Sequence, residues 1–203
     1  MTARRFAPIA LALCLALAAA APCLAGEPTE QLRSAVDRVV EVLNDRELRK
    51  PEKREERRLA IRRAVEERYD FREMAGRALA LHWRQRTPEE KDEFTRLFRD
   101  LIEETYVRKI ERYEDEQVLY GDETVDGGYA EVRTTIASGQ NQIPVDYRMH
   151  KTDAGWLVYD VVIEGVSLVN NYRTQFKSII ASGSYEKLLQ RIRDKVDKLR
   201  REA

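Results

Sequence analysis

The spacing of apolar positions changes twice along the chain. Apolar residues recur every three or four positions up to about residue 112, alternate with polar ones from about 116 to 164, and return to helical spacing from about 167 to 200. These spacings predict helices, then strands, then helices again. We therefore predict an α+β domain in which helices pack on one face of a curved, four-stranded antiparallel sheet.

The first half of the chain contains four predicted helices. The first carries Thr29 as its N-cap, the second covers about 51–68 with few apolar positions, and Asp70 caps the third. The fourth begins at Thr87, where Thr-Pro-Glu-Glu forms a capping box. Its apolar face carries Phe94, Leu97, Phe98, Leu101, Ile102, Tyr106 and Ile110.

The alternating stretch predicts four strands, near 116–125, 129–138, 142–151 and 155–164. Glycines at the turns between them suit an antiparallel meander. The apolar face of the third strand would carry Ile143, Val145, Tyr147 and Met149. That of the fourth would carry Leu157, Tyr159, Val161 and Ile163. Because a sheet with one apolar face must bury it, we expect the helices to cover this face.

The fourth strand leads directly into a helix. Gly165 makes the turn, Ser167 caps the helix, and Gly183 and Ser184 separate it from a last helix. Both halves of this strand–helix segment, 156–176, are lined with apolar side chains and offer no nucleophile or metal ligand. The segment therefore favours binding of an apolar ligand over catalysis.

The N-terminus has the pattern of a secretory signal peptide. Arg4 and Arg5 precede an apolar run of Ala and Leu, and small residues before position 26 predict cleavage after Ala25. An uncleaved N-terminal anchor is the alternative. Both cysteines lie inside the predicted leader, so the remaining single domain, 26–203, must rely on a hydrophobic core rather than on disulfides.

The charge balance of this domain argues against a nucleic-acid partner. Without the two leader arginines, the 36 basic residues become 34 against 36 acidic ones, a net charge of −2. A nucleic-acid-binding surface would call for a basic excess.

Candidate chemistry is sparse. The two histidines, His82 and His150, have no carboxylates at ligand spacing, so neither a metal site nor a cofactor is predicted. Asp160 and Glu164 lie four residues apart on one strand, or about 13 Å. A glycosidase pair needs about 5–9.5 Å. We therefore expect the protein not to be an enzyme.

Longer motifs carry a family resemblance. They are WLVYDVVIEGVSLVNNYRTQF at 156–176, SGSYEKLL at 182–189, HWR at 82–84 with TPE at 87–89, and VDYR at 145–148. Together they resemble the MlaC, or toluene-tolerance, family of periplasmic phospholipid-binding proteins associated with ABC transporters. The resemblance spans about residues 30–195, and the charged helix around 47–68 departs from it most.

The resemblance implies a cystatin-like fold that encloses an apolar pocket, and a monomeric periplasmic carrier of glycerophospholipid. Such a carrier shuttles lipid between an outer-membrane lipoprotein complex and an inner-membrane ABC transporter complex with an MCE-type subunit. Its role would be to maintain the lipid asymmetry of the outer membrane.

An enclosed lipid requires apolar walls. Two sixteen-carbon chains contain about 28–30 methylenes at about 0.8 kcal/mol each, or roughly 23 kcal/mol when exposed to water. Their volume is on the order of 800–1,000 Å³, at the top of the usual pocket range. The predicted pocket residues are Phe94, Phe98, Leu101, Tyr106, Ile143, Val145, Tyr147, Val161, Ile163, Val166, Leu168, Tyr172 and Phe176. We expect Arg148 or Arg173 at the pocket mouth, because a guanidinium suits a phosphodiester.

Three alternatives to a phospholipid carrier stay open. The same fold would also suit a carrier of another lipid, such as a hopanoid. An enzyme on a related cone-shaped α+β fold would need a buried acid or base, for which Asp160 is the best candidate. An interaction module or chaperone would present an exposed apolar groove.

Overall fold

The computed structural model describes residues 26–112 and 116–202 of the 203-residue chain. The predicted signal peptide, 1–25, lies outside these ranges. Within them the helices are α1 Glu27–Asn44, α2 Arg54–Glu66, α3 Phe71–Leu79, α4 Pro88–Glu111, α5 Leu168–Ala181 and α6 Tyr185–Arg201, with 3₁₀ turns at Pro51–Lys53 and Ala80–Gln85. The strands are β1 Gln117–Asp126, β2 Tyr129–Ser138, β3 Asn141–Thr152, β4 Gly155–Ile163 and β5 Val166–Ser167.

The predicted α+β class is confirmed, with one correction to the strand count. The sheet is an antiparallel meander in the order β1-β2-β3-β4-β5, so it has five strands rather than four. The extra strand pairs with the end of β4 across Glu164 and Gly165, whose φ angles are 50° and 79°. Two positive φ values are typical of a type I′ hairpin turn. A strand of two residues is too short to show alternation in a sequence.

The register between β3 and β4 shifts at Tyr159. Met149 pairs with Val158 and Arg148 pairs with Asp160, so Tyr159 is one residue too many on β4. Such a bulge reverses the alternation of side chains beyond it.

The bulge makes part of the predicted apolar face of β4 wrong. Leu157 and Tyr159 lie on the opposite, more polar face, where the Tyr159 ring centroid is 5.9 Å from that of His150. The apolar face of β4 is made instead by Trp156, Val158, Val161 and Ile163.

Side chains cap the helices mostly as predicted. The capping box at Thr87 is present, with the Glu90 N–H donating to Thr87 Oγ1 at 3.2 Å and the Thr87 N–H donating to Glu90 at 2.8 Å. The caps at Asp70 and Ser167 are also confirmed. Thr29 is not an N-cap, because α1 begins at Glu27.

Thr29 is buried and contacts β1 instead. Its N–H and its hydroxyl both donate to the Glu123 carboxylate, at 2.8 Å and 2.6 Å. This carboxylate therefore holds the positive N-terminal end of α1 against the sheet.

Buried apolar side chains form two clusters. The helical cluster combines α3, α4, α5 and α6, and contains Met74, Ala75, Ala78, Leu79, Phe94, Phe98, Leu101, Leu168, Val169, Phe176, Tyr185, Leu188, Leu189, Ile192 and Val196. The sheet cluster joins the apolar face of the sheet to α1, and contains Leu32, Ala130, Val132, Val145, Met149, Trp156, Val158 and Val161. Tyr69 packs against both clusters.

Two connections join the clusters near β4. The backbone at Arg68–Asp70 runs beside β4, where the Asp70 N–H donates to the Val158 carbonyl at 2.9 Å and the Val158 N–H donates to the Arg68 carbonyl at 2.8 Å. Helices α3 and α5 also contact β4, while α1 contacts β1, β2 and β4 and packs against α2. In the described ranges no helix is both long and apolar enough to cross a bilayer.

Candidate functional site

The apolar face of the sheet is covered unevenly. At one end, Met149, Val158 and Trp156 are buried beneath α1. Toward the β2–β3 turn Val145 is still buried, but the larger apolar side chains around it are only half-buried, and Ile143 is 37% exposed. This open apolar patch consists of Tyr120, Ile136, Ile143, Tyr147 and Ile163. It is a candidate surface for an apolar ligand.

The predicted pocket residues divide between the two clusters. Five of them lie in the helical cluster and are buried, namely Phe94, Phe98, Leu101, Leu168 and Phe176. Tyr106 and Tyr172 are half-buried at the rim of that cluster. Val145 and Val161 are buried in the sheet cluster, where Tyr147 and Ile163 are half-buried. Val166, on β5, is 59% exposed.

The buried aromatic side chains of the helical cluster pack directly against one another. The Phe98 ring centroid lies 5.2 Å from that of Tyr172 and 5.6 Å from that of Phe176, both edge-on. Phe94 lies 5.9 Å from Phe98 and 5.7 Å from Phe176. Edge-on contacts at these distances are favourable in themselves. These rings therefore contribute to the core of the protein in the state described here.

Neither arginine predicted for the head group is free of intramolecular contacts. Arg148 lies on the polar face of the sheet, with Nε 3.3 Å from Glu131 and Nη1 3.4 Å from Asp160. Arg173 Nε donates to the Arg77 carbonyl at 2.8 Å.

Asp160, the candidate acid or base, anchors the start of α5. The residue is 4% exposed, and its carboxylate accepts from the Ser167 hydroxyl at 2.6 Å and from the Val169 N–H at 3.0 Å. Arg148 supplies the countercharge from the same polar face of the sheet. These contacts account for the buried carboxylate as part of the fold, on the face opposite the apolar patch.

Three tyrosines stand out at the boundary between the clusters. Tyr69 and Tyr147 lie close enough for their hydroxyls to affect each other, and burial raises the pKa of Tyr147 to about 12 and that of Tyr69 well above its usual value. Burial also raises the pKa of Tyr120, whose ring lies 4.1 Å below the Arg33 guanidinium. All three phenols are therefore neutral at physiological pH. Sequence reasoning missed Tyr69 and Tyr120, although the alternation of β1 would have placed Tyr120 on the apolar face.

Two clefts open elsewhere in the part of the chain that the structure describes, and charged side chains line most of each. One, of about 190 Å³, is lined by Leu48, Arg49, Lys50, Pro51, Arg54, Arg57 and Glu111. The other, of about 370 Å³, is lined by Glu55, Arg58, Leu59, Arg62, Glu103, Glu104 and Arg200. Neither approaches the volume of two acyl chains.

The larger cleft lies between α2, α4 and α6, and ion pairs cross it. Arg62 pairs with Glu103 at 2.6 Å, and Arg58 pairs with Glu104 at 3.5 Å. Arg200 of α6 pairs with Glu104 at 3.0 Å. Helix α2 is thus held to α4 largely by charge. Among residues 26–112 and 116–202, no three His, Cys, Asp or Glu side chains come together as a metal site would require.

Comparison with known proteins identifies the family. A family model described as MlaC protein matches residues 33–194. The chain belongs to the MlaC family. The family resemblance of the sequence motifs is therefore confirmed. Membership of the MlaC family points to binding or transport rather than to catalysis.

A solved structure supports the same assignment. It is the phospholipid-binding protein from Ralstonia solanacearum in complex with a phospholipid, with 26% sequence identity and a TM-score of 0.77. The match covers 86% of the MlaC-family chain and 99% of the other chain. No curated protein matches the chain.

Proposed function

We propose that the protein is a periplasmic phospholipid carrier. The observation that carries the proposal is the structural match, over most of both chains, to a protein solved with a bound phospholipid. The partly uncovered apolar face of the sheet supports it, since monomeric proteins rarely leave such a patch without a use.

The proposed lipid-binding surface lies between the two clusters. We assign its floor to the open apolar patch and its opposite wall to Tyr106 and Tyr172, which are half-buried at the rim of the helical cluster. The other predicted pocket residues would support this surface from behind. A phosphate at the mouth would have to compete with the present partners of Arg148 and Arg173.

We infer that the clusters move apart on loading. Two acyl chains need on the order of 800–1,000 Å³, and Tyr69 packs against both clusters where the lipid would enter. Exposing the tails would cost roughly 23 kcal/mol at about 0.8 kcal/mol per methylene. This cost is large enough to favour an opened protein that encloses them.

The proposal extends to the protein's place in the cell. After removal of residues 1–25, the single domain would act as a monomer in the periplasm. It would exchange glycerophospholipid with an inner-membrane MCE-type ABC transporter complex and an outer-membrane lipoprotein complex, and so maintain outer-membrane lipid asymmetry. Membership of the MlaC family is the support for these partners. The proposed function involves neither a cofactor nor nucleic acid.

Lipid extraction tests the proposal. The protein is purified from the periplasm without detergent, extracted with organic solvent, and the extract is analysed by mass spectrometry. We expect about one glycerophospholipid per protein. A hopanoid or another lipid in its place would assign a different cargo to the same fold. An extract free of lipid, from protein that also takes none from phospholipid vesicles, would refute the proposal.

A further inference from the structure

Three tyrosine side chains converge on one polar spot within the apolar boundary between the clusters. Tyr120 of β1 is opposite Thr134, which is in turn opposite Val145 on β3, two residues from Tyr147. The rings of Tyr120 and Tyr147 therefore rise from the same face of the sheet. Tyr69, which immediately precedes Asp70, packs against both clusters and reaches this spot from the helical side, close to Tyr147.

The hydrogen bonds of this spot are incomplete. Each phenol has one donor, and at most one of the three is used between Tyr69 and Tyr147. The Tyr120 hydroxyl oxygen is buried and has no hydrogen-bond partner in residues 26–112 and 116–202. A buried polar group without a partner is costly and calls for an explanation. A bound molecule that brings an acceptor would supply one.

The acceptor that fits this spot is neutral. The phenols keep their protons at physiological pH, because burial raises the pKa of each. The carboxylates of Asp37 and Glu30 and the guanidinium of Arg33 all act on Tyr120 from α1, and Arg33 is paired with Glu30. A phosphate at this apolar boundary would therefore lose its hydration without gaining an unpaired countercharge from α1. An acyl ester carbonyl carries no charge and sits where the tails of a diacyl lipid begin.

We propose that Tyr120 and Tyr147 donate hydrogen bonds to the acyl ester carbonyls of the bound lipid, so that the site prefers ester-linked to ether-linked chains. This inference rests on the proposed function as a phospholipid carrier. It places the glycerol end of the lipid between the open apolar patch and Tyr69. It also gives a chemical basis for selecting ester-linked over ether-linked lipids.

Competitive loading tests the preference. The lipid-free protein is incubated with vesicles that contain equal amounts of diacyl phosphatidylglycerol and its dialkyl ether analogue of the same chain length. Native mass spectrometry then gives the ratio of the two complexes. One neutral hydrogen bond corresponds to about threefold to tenfold in binding. We expect Tyr120→Phe and Tyr147→Phe each to lower the ester-to-ether ratio of the unmodified protein by about this factor, and the double variant to bring the ratio close to one.

Tyr129→Phe is the matched control, because Tyr129 is on the opposite face of the sheet and is exposed. It should leave the ratio unchanged. Thermal unfolding gives an independent readout. Tyr120→Phe should not destabilise the lipid-free protein, since its hydroxyl has no partner to lose. It should reduce the stabilisation that diacyl lipid provides.

Four results would overturn the inference. Tyr120→Phe and Tyr147→Phe variants that keep the ester preference of the parent would exclude the hydrogen bonds. Marked destabilisation of lipid-free Tyr120→Phe would show that the hydroxyl already has a partner in the fold. Binding of neither lipid by folded protein would remove the carrier function together with the inference, whereas equal binding of both would remove the inference alone.

Discussion

Replacing Phe98 with alanine is expected to destabilise the fold far more than it reduces lipid loading. Phe98 is fully buried, and its ring lies between those of Phe94, Tyr172 and Phe176 at centroid distances of 5.9, 5.2 and 5.6 Å. Sequence periodicity cannot tell such a residue from one that lines a pocket. The substitution separates the two roles.

The expected loss follows from the packing. Truncating a buried Phe to Ala costs about 3–5 kcal/mol, and the edge-on contacts with Tyr172 and Phe176 favour the upper part of that range. Ile163→Ala provides the comparison, because Ile163 is half-buried in the open apolar patch. Because Ile163 is only partly buried, we expect a smaller loss, of about 1–2 kcal/mol.

Urea unfolding of lipid-free protein, followed by tryptophan fluorescence, measures both losses. Lipid content per folded protein, measured by extraction and mass spectrometry, completes the comparison. We expect Phe98→Ala to retain near-normal lipid content in the fraction that stays folded, and Ile163→Ala to lose lipid at little cost in stability. A Phe98→Ala variant that is destabilised by less than about 1 kcal/mol and has lost its lipid would refute this reasoning and place Phe98 in the pocket wall.

Three further predictions concern polar contacts. Asp160→Ala should lower the free energy of unfolding by about 3 kcal/mol, because the Ser167 hydroxyl, the Val169 N–H and the Arg148 guanidinium all lose their acceptor. The control Asp146→Ala, on the same face of the sheet, should lower it by about 0.5 kcal/mol or less. Glu123→Ala should cost about 1 kcal/mol and speed amide hydrogen exchange in the first turn of α1, because Thr29 loses both of its bonds. Burial raises the pKa of Tyr147 from 10.0 to about 12. The stability that the neutral Tyr147 side chain contributes should therefore be fully present below pH 10 and be lost as the pH rises toward 12. Tyrosinate absorbance should report the same transition.

Each of these has a result that would contradict it. Equal losses for the Asp160 and Asp146 variants would mean that the anchor at the start of α5 contributes little. Unchanged exchange in α1 after loss of Glu123 would leave that helix held by its apolar contacts alone. If Tyr147→Phe unfolds over the same alkaline range as the parent, another group is responsible for the transition.

The sequence predicted the element order well, because long periodic stretches and side-chain caps are local signals. The capping box at Thr87 and the cap at Ser167 depend on residues within one helical turn. The errors arose where a distant residue intervenes. Thr29 resembles a cap in the sequence, but Glu123, on β1, takes both of its donors. The bulge at Tyr159 depends on pairing with β3, which no local pattern reveals.

The candidate site was harder to predict for a related reason. Alternation indicates which side chains of a strand share a face, but not whether a helix covers that face. The face that carries Trp156 is closed by α1 at one end and half-open at Ile163 and Ile143. Tyr69, between two helices, belongs to no repeating pattern. Sequence reasoning therefore identified apolar surface in quantity without locating its uncovered part.

Apolar contacts hold the helical cluster together, whereas ion pairs hold α2 to α4. This difference bears on how a lipid carrier of this design would open. Dispersion contacts such as those of Phe98 are largely forfeited when surfaces separate by an ångström, whereas attraction between charges falls only as the inverse of their distance. The helical cluster should therefore resist separation. Helix α2, held to α4 by pairs such as Arg62 with Glu103, can move outward with a gradual loss of energy. Since α2 packs against α1, and α1 is held to the sheet cluster by apolar contacts such as that of Leu32, such a movement would loosen the outer side of α1 while the apolar contacts of α1 with the sheet and the aromatic core stay intact.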